Sequence, residues 1–269
     1  MTFNNVLLEN LTENVKKLKN QKWIDDNIID KDIEILKKEA TDVSPFDKLN
    51  LKKYMFEAYE NKTANFLIKK CKFGRIVILT ENSDEFYPWD TWGKILEWFG
   101  SFYQIYIYSS KQKRILPDVG VVGPEHVNGG YTYPCRKDCV VIYRYEEATR
   151  VLIHELLHAS CTDNHENSVE VREAATETWA ELFLIAILSK GNISLAKKLW
   201  KIQDHHIQDL NYTLYNFYNV KTLKDYASRY TILREKVLNS FGFYLDLNYT
   251  PKRIKSSRFT SILLDNYLT

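Results

Sequence analysis

The sequence predicts an α+β protein in which a small mixed β-sheet with one backing helix is set between helical segments. Three observations carry that expectation. Hydrophobic residues make up 45% of the 269 and aromatics 14%, enough for a substantial core and against a disordered chain. Short β-branched and aromatic runs occur at 75–80, 104–108 and 140–143, with the length and composition of buried strands. Before residue 70 and after residue 146, apolar residues recur at the three-and-four spacing of amphipathic helices.

Taken in order, residues 7–18, 30–38 and 49–70 read as three helices, with Ser44-Pro45 breaking the chain between the last two. Residues 1–70 are therefore expected to form a helical N-terminal extension, and residues 71–269 the main domain. The sheet-containing half of that domain covers 71–145 and the helical half 146–269. Within the first half, 89–99 is a helix with Trp92, Ile95, Leu96 and Phe99 on one side and Gly100 as its stop. Residues 120–133 are glycine-rich around Asn128-Gly129-Gly130-Tyr131. The second half reads as helices over 146–160, 170–190, 194–218 and 221–241.

Composition excludes several classes. Lys and Arg number 37 against 35 Asp and Glu, a net charge of +2, so the basic excess of a phosphate-neutralising nucleic-acid binder is missing. Lys252-Arg253-Ile254-Lys255 is a local basic patch that reads as a solvated tail. No apolar run approaches the ~18 residues a membrane span needs, and the first ten residues lack the cationic lead and apolar stretch of a signal peptide. An intracellular protein is expected, cytoplasmic or packaged in a virus particle if the source is viral. Cys71, Cys135, Cys139 and Cys161 show no CxxC spacing and are expected to be small buried thiols in a reducing compartment, the alternative being a pair or a metal site at Cys135 and Cys139. No feature specifies an oligomeric state.

The chemistry sits at the boundary between the halves, in His154-Glu155-Leu156-Leu157-His158. Histidines four apart share one helix face and can grip one ion, while Glu155 stands beside them to hold and deprotonate a water. Val151, Leu152, Ile153, Leu156, Leu157 and Ala159 surround the motif with apolar residues, as in a buried helix, where two imidazoles and a carboxylate are costly unless something pairs with them. A zinc site that keeps a place for water needs a third protein ligand. Glu177 follows after an 18-residue gap, on the next expected helix, with Glu181 on the same face. That face runs on through Leu184, Ile185 and Leu188, so it points inward, whereas Glu173 is expected at the periphery.

His-Glu-x-x-His, 18 residues and then Glu resembles the gluzincin branch of the zincin metallopeptidases, over roughly residues 72–190. The resemblance implies a zincin-like fold, one Zn2+ per chain, and hydrolysis of peptide bonds in a peptide or protein substrate. By position it makes His154, His158 and Glu177 the ligands, Glu155 the general base, and Glu181 the carboxylate that orients a histidine. It also places Gly129, Gly130 and Tyr131 where zincins carry the substrate-pairing edge strand. The rival metzincin branch requires Gly and then His or Asp where this chain has Cys161 and Asn164, and a later methionine, while Met1 and Met55 both precede the motif. The Gly-x-Met-Glu-Asn segment of aminopeptidases with the same gap is missing, which favours an endopeptidase. Downstream oxyanion partners are open among His205, His206, Tyr226, Arg229, Tyr230 and Tyr244. The competing reading is a non-catalytic scaffold that keeps the fold or its zinc. No nucleic-acid or membrane partner is expected.

Overall fold

A computed structural model of the chain describes residues 3–268. It contains two compact units, each assembled from separate stretches: one from 19–113 and 128–162, the other from the chain through residue 18, 114–127 and residue 163 onward.

The first unit holds the sheet. Strands β1 (Ile24–Asp25), β2 (Asn65–Cys71), β3 (Gly74–Thr80), β4 (Tyr103–Tyr108), β5 (Gly130–Thr132) and β6 (Val140–Ile142) form one six-stranded mixed sheet in the order β1-β2-β3-β4-β6-β5. β2 and β3 make an antiparallel hairpin around Lys72-Phe73. β4 runs parallel to β3, β6 parallel to β4, and the edge strand β5 antiparallel to β6. A parallel pair needs a crossover, which α4 (Trp89–Phe99) supplies between β3 and β4. Every residue of β3 is buried, which explains its unbroken Ile76-Val77-Ile78-Leu79 run.

Side-chain alternation sorts the two faces. Val77, Leu79, Tyr106, Tyr108 and Val141 pack with Leu36 of α2 (Asp30–Thr41) and with Met55 and Phe56 of α3 (Leu51–Glu60). The opposite face carries Ile76, Ile78, Ile105, Ile107, Val140 and Ile142, all fully buried. There lies α4, since a Cβ on Gly74 would meet Leu96 at 2.9 Å. Beside it is α6 (Ala148–Ala159), joined by the Trp92 indole, which donates to Thr149 Oγ1 at 2.9 Å.

Arg75 of β3 ties this unit to its own loops. Its guanidinium donates twice to Asp32 of α2, at 2.8 and 2.7 Å, and through Nε to Asp26 at 2.8 Å. Arg75 first and Lys70 second hold the Asp26 carboxyl at about 2, below its ordinary 3.8. A depressed folded pKa means the contribution is present above the ordinary value and is lost as pH falls from about 4 through about 2. Asp26→Asn is therefore expected to flatten the acid limb of thermal unfolding between those values; an unchanged acid limb would contradict the pairing.

The second unit is helical. It comprises α1 (Phe3–Val15), the single turn α5 (Pro124–Val127), α7 (Val169–Leu188), α8 (Ile193–Phe217) and α9 (Ile232–Ser240), with 3-10 helices at Tyr226–Tyr230 and Ile262–Tyr267. α7 is central, against α1, α8, α9 and the first 3-10 helix. Ser168 caps it by accepting from Val171 N, and its second half is almost wholly apolar and buried. Gln203 of α8 fastens the tail, donating to Phe259 O at 2.6 Å and accepting from Ser261 N at 2.9 Å.

The α+β class and the mixed sheet agree with expectation; three local readings need correction. The third expected helix, 49–70, ends at Glu60, because Lys62 turns left-handed (φ 61°) and Thr63 bonds back to Ala58 O; the remainder becomes β2. The boundary expected at 70/71 thus falls inside β2, and residues 1–70 are not one helical extension: α1 belongs to the helical unit, whereas α2, α3, β1 and β2 belong to the sheet unit. The expected helix 221–241 is broken at its start. Asp225 accepts from the backbone N–H of Lys221 and Thr222 at 2.9 and 2.6 Å, a local turn that competes with the helix. No described helix is long and apolar enough to cross a membrane.

Candidate metal centre

All twelve residues of α6 are buried, as its all-round apolar pattern requires. Inside it, His154 and His158 lie one turn apart with their Nε2 atoms 3.1 Å from each other and their ring planes crossed at 71°. Two imidazole nitrogens bound to one tetrahedral zinc at about 2.0–2.1 Å would stand roughly 3.3 Å apart. The pair therefore has the bite of a chelate. A ring-to-ring hydrogen bond uses the same geometry without a metal, and metal content separates the two.

The C-terminal end of α6 is held from one side. The carbonyl of His158 accepts the backbone N–H of Cys135 at 3.0 Å and that of Cys161 at 3.2 Å. Cys135 and Cys161 are joined by a disulfide, against the expectation of four reduced thiols. Their separation of 26 in sequence hides the pairing, since sequence distance says nothing about two turns that meet in space. Cys71 and Cys139 are free and half-buried; burial raises both thiols, Cys139 to about 12, so neither is reactive near neutrality.

Gly129, Gly130 and Tyr131 sit at and in the edge strand β5, beside α6. A Cβ on Gly130 would stand 2.7 Å from Val141 O, 2.7 Å from Val151 Cγ1 and 3.3 Å from Glu155 Cγ; one on Gly129 would meet Val151 at 3.0 Å. Absence of a side chain is thus what lets the motif helix lie against the sheet edge. Gly130→Ala is expected to cost about 1–3 kcal/mol in denaturant unfolding, the usual range for an overpacked core; a change below about 0.5 kcal/mol would show that the helix yields freely. Tyr131 faces the other side, where its ring stacks on Phe46 and its hydroxyl donates to Glu39 and accepts from Lys52 Nζ at 2.7 Å. Lys52 is buried, and desolvation lowers its pKa. Tyr131 thereby anchors β5 to α2 and α3.

In the helical unit, Glu173, Glu177 and Glu181 follow one face of α7. Glu177 and Glu181 are buried, at 2% and 0% exposure, as the apolar continuation of that face predicts. Glu181 Oε1 accepts from Arg234 Nη1 at 2.8 Å, both side chains fully enclosed. Glu173 is half-buried, and its charge, after desolvation, helps raise the pKa of the buried Tyr230 phenol. Arg229 reaches Glu170 at 3.5 Å. His205 stacks on Tyr249 at 4.0 Å, and the His206 ring donates to Arg258 O at 2.9 Å, so both histidines have local roles in α8. Neither Arg234 nor the pairing of Cys135 with Cys161 carries a signal in the sequence. No spacing links Arg234 to Glu181, and none links Cys135 to Cys161.

No protein-family model matches the chain, and no curated protein or solved structure matches it. The class that fold and site define is an α+β protein with a buried His-Glu-x-x-His helix packed on the edge of a mixed sheet.

Proposed function

We propose that this chain is a zinc-dependent peptidase, of endopeptidase type, with Glu155 as general base. The observation that carries the reading is the 3.1 Å bite of two buried imidazoles on a helix that also buries Glu155. His154 and His158 hold the ion. For the third place the gluzincin resemblance selects Glu177 of α7. By the same resemblance Glu181, four residues beyond Glu177, is the carboxylate that orients a ligand histidine. Zinc affinity of Glu177→Gln tests that third place, a large loss marking the ligand and an unchanged affinity removing it.

Zinc, when bound, supplies polarisation of the scissile carbonyl and brings the pKa of a water towards ~7. Glu155 accepts the proton of the attacking water and delivers it to the leaving amine. Gly130 lets the helix that carries Glu155 lie close against β5. The outer edge of β5, with no further strand on it among the described residues, suits an extended peptide paired through backbone hydrogen bonds. The test is digestion of an unstructured peptide mixture by the zinc-loaded chain, read by mass spectrometry. Internal cleavages that a chelator abolishes and zinc restores are expected. Tight zinc binding with intact peptides would replace the peptidase by the scaffold.

A further inference from the structure

We infer that the Cys135–Cys161 disulfide is a reducible clasp that sets how firmly the C-terminal end of α6, and with it His158, is held. Its consequence for zinc rests on the proposed metal site; its consequence for the helix does not.

Both half-cystines lie on the exposed surface, open to a thiol from outside. One sits in the turn between β5 and β6, the other immediately beyond α6, and the backbone N–H groups of both converge on the carbonyl of His158. The bond therefore crosses from the edge-strand turn to the last turn of the motif helix, at the candidate ligand itself. Apart from this link, the exposed turn at residues 133–138 is anchored at its far end, where Lys137 O accepts from Gln104 N at 2.8 Å and Lys137 Nζ donates to Ser101 Oγ at 2.9 Å. The stretch beside Cys135 is held within the turn. Arg136 donates to Asp138 at 2.7 Å, an exposed pair, and Arg136 N bonds to Tyr133 O at 2.9 Å. A segment with such local anchors opens readily once a cross-link is cut. Neither free cysteine competes for the bond, because burial keeps Cys71 and Cys139 protonated.

The partner is a dithiol. One of its thiolates attacks a sulfur of the disulfide, the S–S bond breaks, a mixed disulfide forms, and the departing thiolate takes a proton. The second thiol of the reductant then attacks the mixed disulfide and releases the other cysteine. The protein gains two electrons and two protons, and the reductant leaves as a cyclic disulfide. With the clasp open, the turn no longer holds Cys135 N–H against His158 O, and the end of α6 frays.

The experiment uses the full chain, oxidised or reduced, with the Cys135→Ser/Cys161→Ser double variant as a permanently open form. Hydrogen exchange of metal-free protein, with dithiothreitol as the dithiol, should accelerate by at least about tenfold in peptides covering 133–138 and 156–162, while β3 is unchanged. Zinc affinity, measured by chelator competition after reduction with a phosphine that does not compete for zinc, should fall about tenfold. The double variant should match the reduced form and ignore reductant. Equal exchange in oxidised and reduced chains overturns the clasp. Faster exchange with unchanged zinc affinity overturns its control of the site. Faster exchange in a chain that binds no zinc in any state sustains the clasp and removes the metal reading.

Discussion

Glu155→Gln is expected to keep about one zinc per chain and to lose peptide hydrolysis by roughly 10²–10⁴-fold, the contribution of a positioned general base. Glutamine preserves volume and hydrogen bonding inside α6, where Glu155 is 5% exposed, so the fold should survive and thermal unfolding should move little. The pairing of retained metal with lost turnover is what singles out a base. A variant that cleaves at the wild-type rate would remove Glu155 from the mechanism, and one that also loses zinc would make it a ligand.

The largest stability effect is expected at the Glu181–Arg234 pair. Both side chains are fully buried and meet at 2.8 Å, with the Arg234 guanidinium also over the Phe259 ring, 5.9 Å from its centroid. Removing one partner leaves a charge enclosed without its counter-charge, which typically costs 3–5 kcal/mol, so Arg234→Met is expected to lose about that much in denaturant unfolding of metal-free protein. The loss has a structural reach: α7 and α9 are joined through this contact, and α7 also carries Glu173 and Glu177. A shift of the midpoint worth less than about 1 kcal/mol at constant m would show that water or other groups compensate the charge.

The elements most legible in the sequence were those whose pattern is local. β3 and β4 announce themselves as β-branched and aromatic runs, α4 falls where its apolar spacing places it, and α6 was visible both as a buried helix and as a motif. What was hidden depended on contacts distant in sequence or on competing side-chain bonds. β2 was read as the tail of a helix because Phe66, Leu67 and Ile68 fit either period until Lys62 turns the chain. The interleaved units could not be read at all, since residues 114–127 look like a loop and pack with Leu210, Leu214 and Phe259. At the candidate site, the burial of Glu177 and Glu181 followed from the apolar continuation of their helix face. Arg234 opposite Glu181 and Cys135 opposite Cys161 had no spacing to betray them. Gly130 permits close backbone approach, and the approach it serves in the structure is that of α6.

Metal content tests the central claim most directly. Plasma mass spectrometry on chain purified without chelators, beside His154→Ala, is expected to give about one zinc per wild-type chain and none in the variant. Wild-type protein that carries no metal, and takes none when zinc is offered back, would mean that His154 and His158 are hydrogen-bonded core histidines, and the peptidase reading would fall with the site.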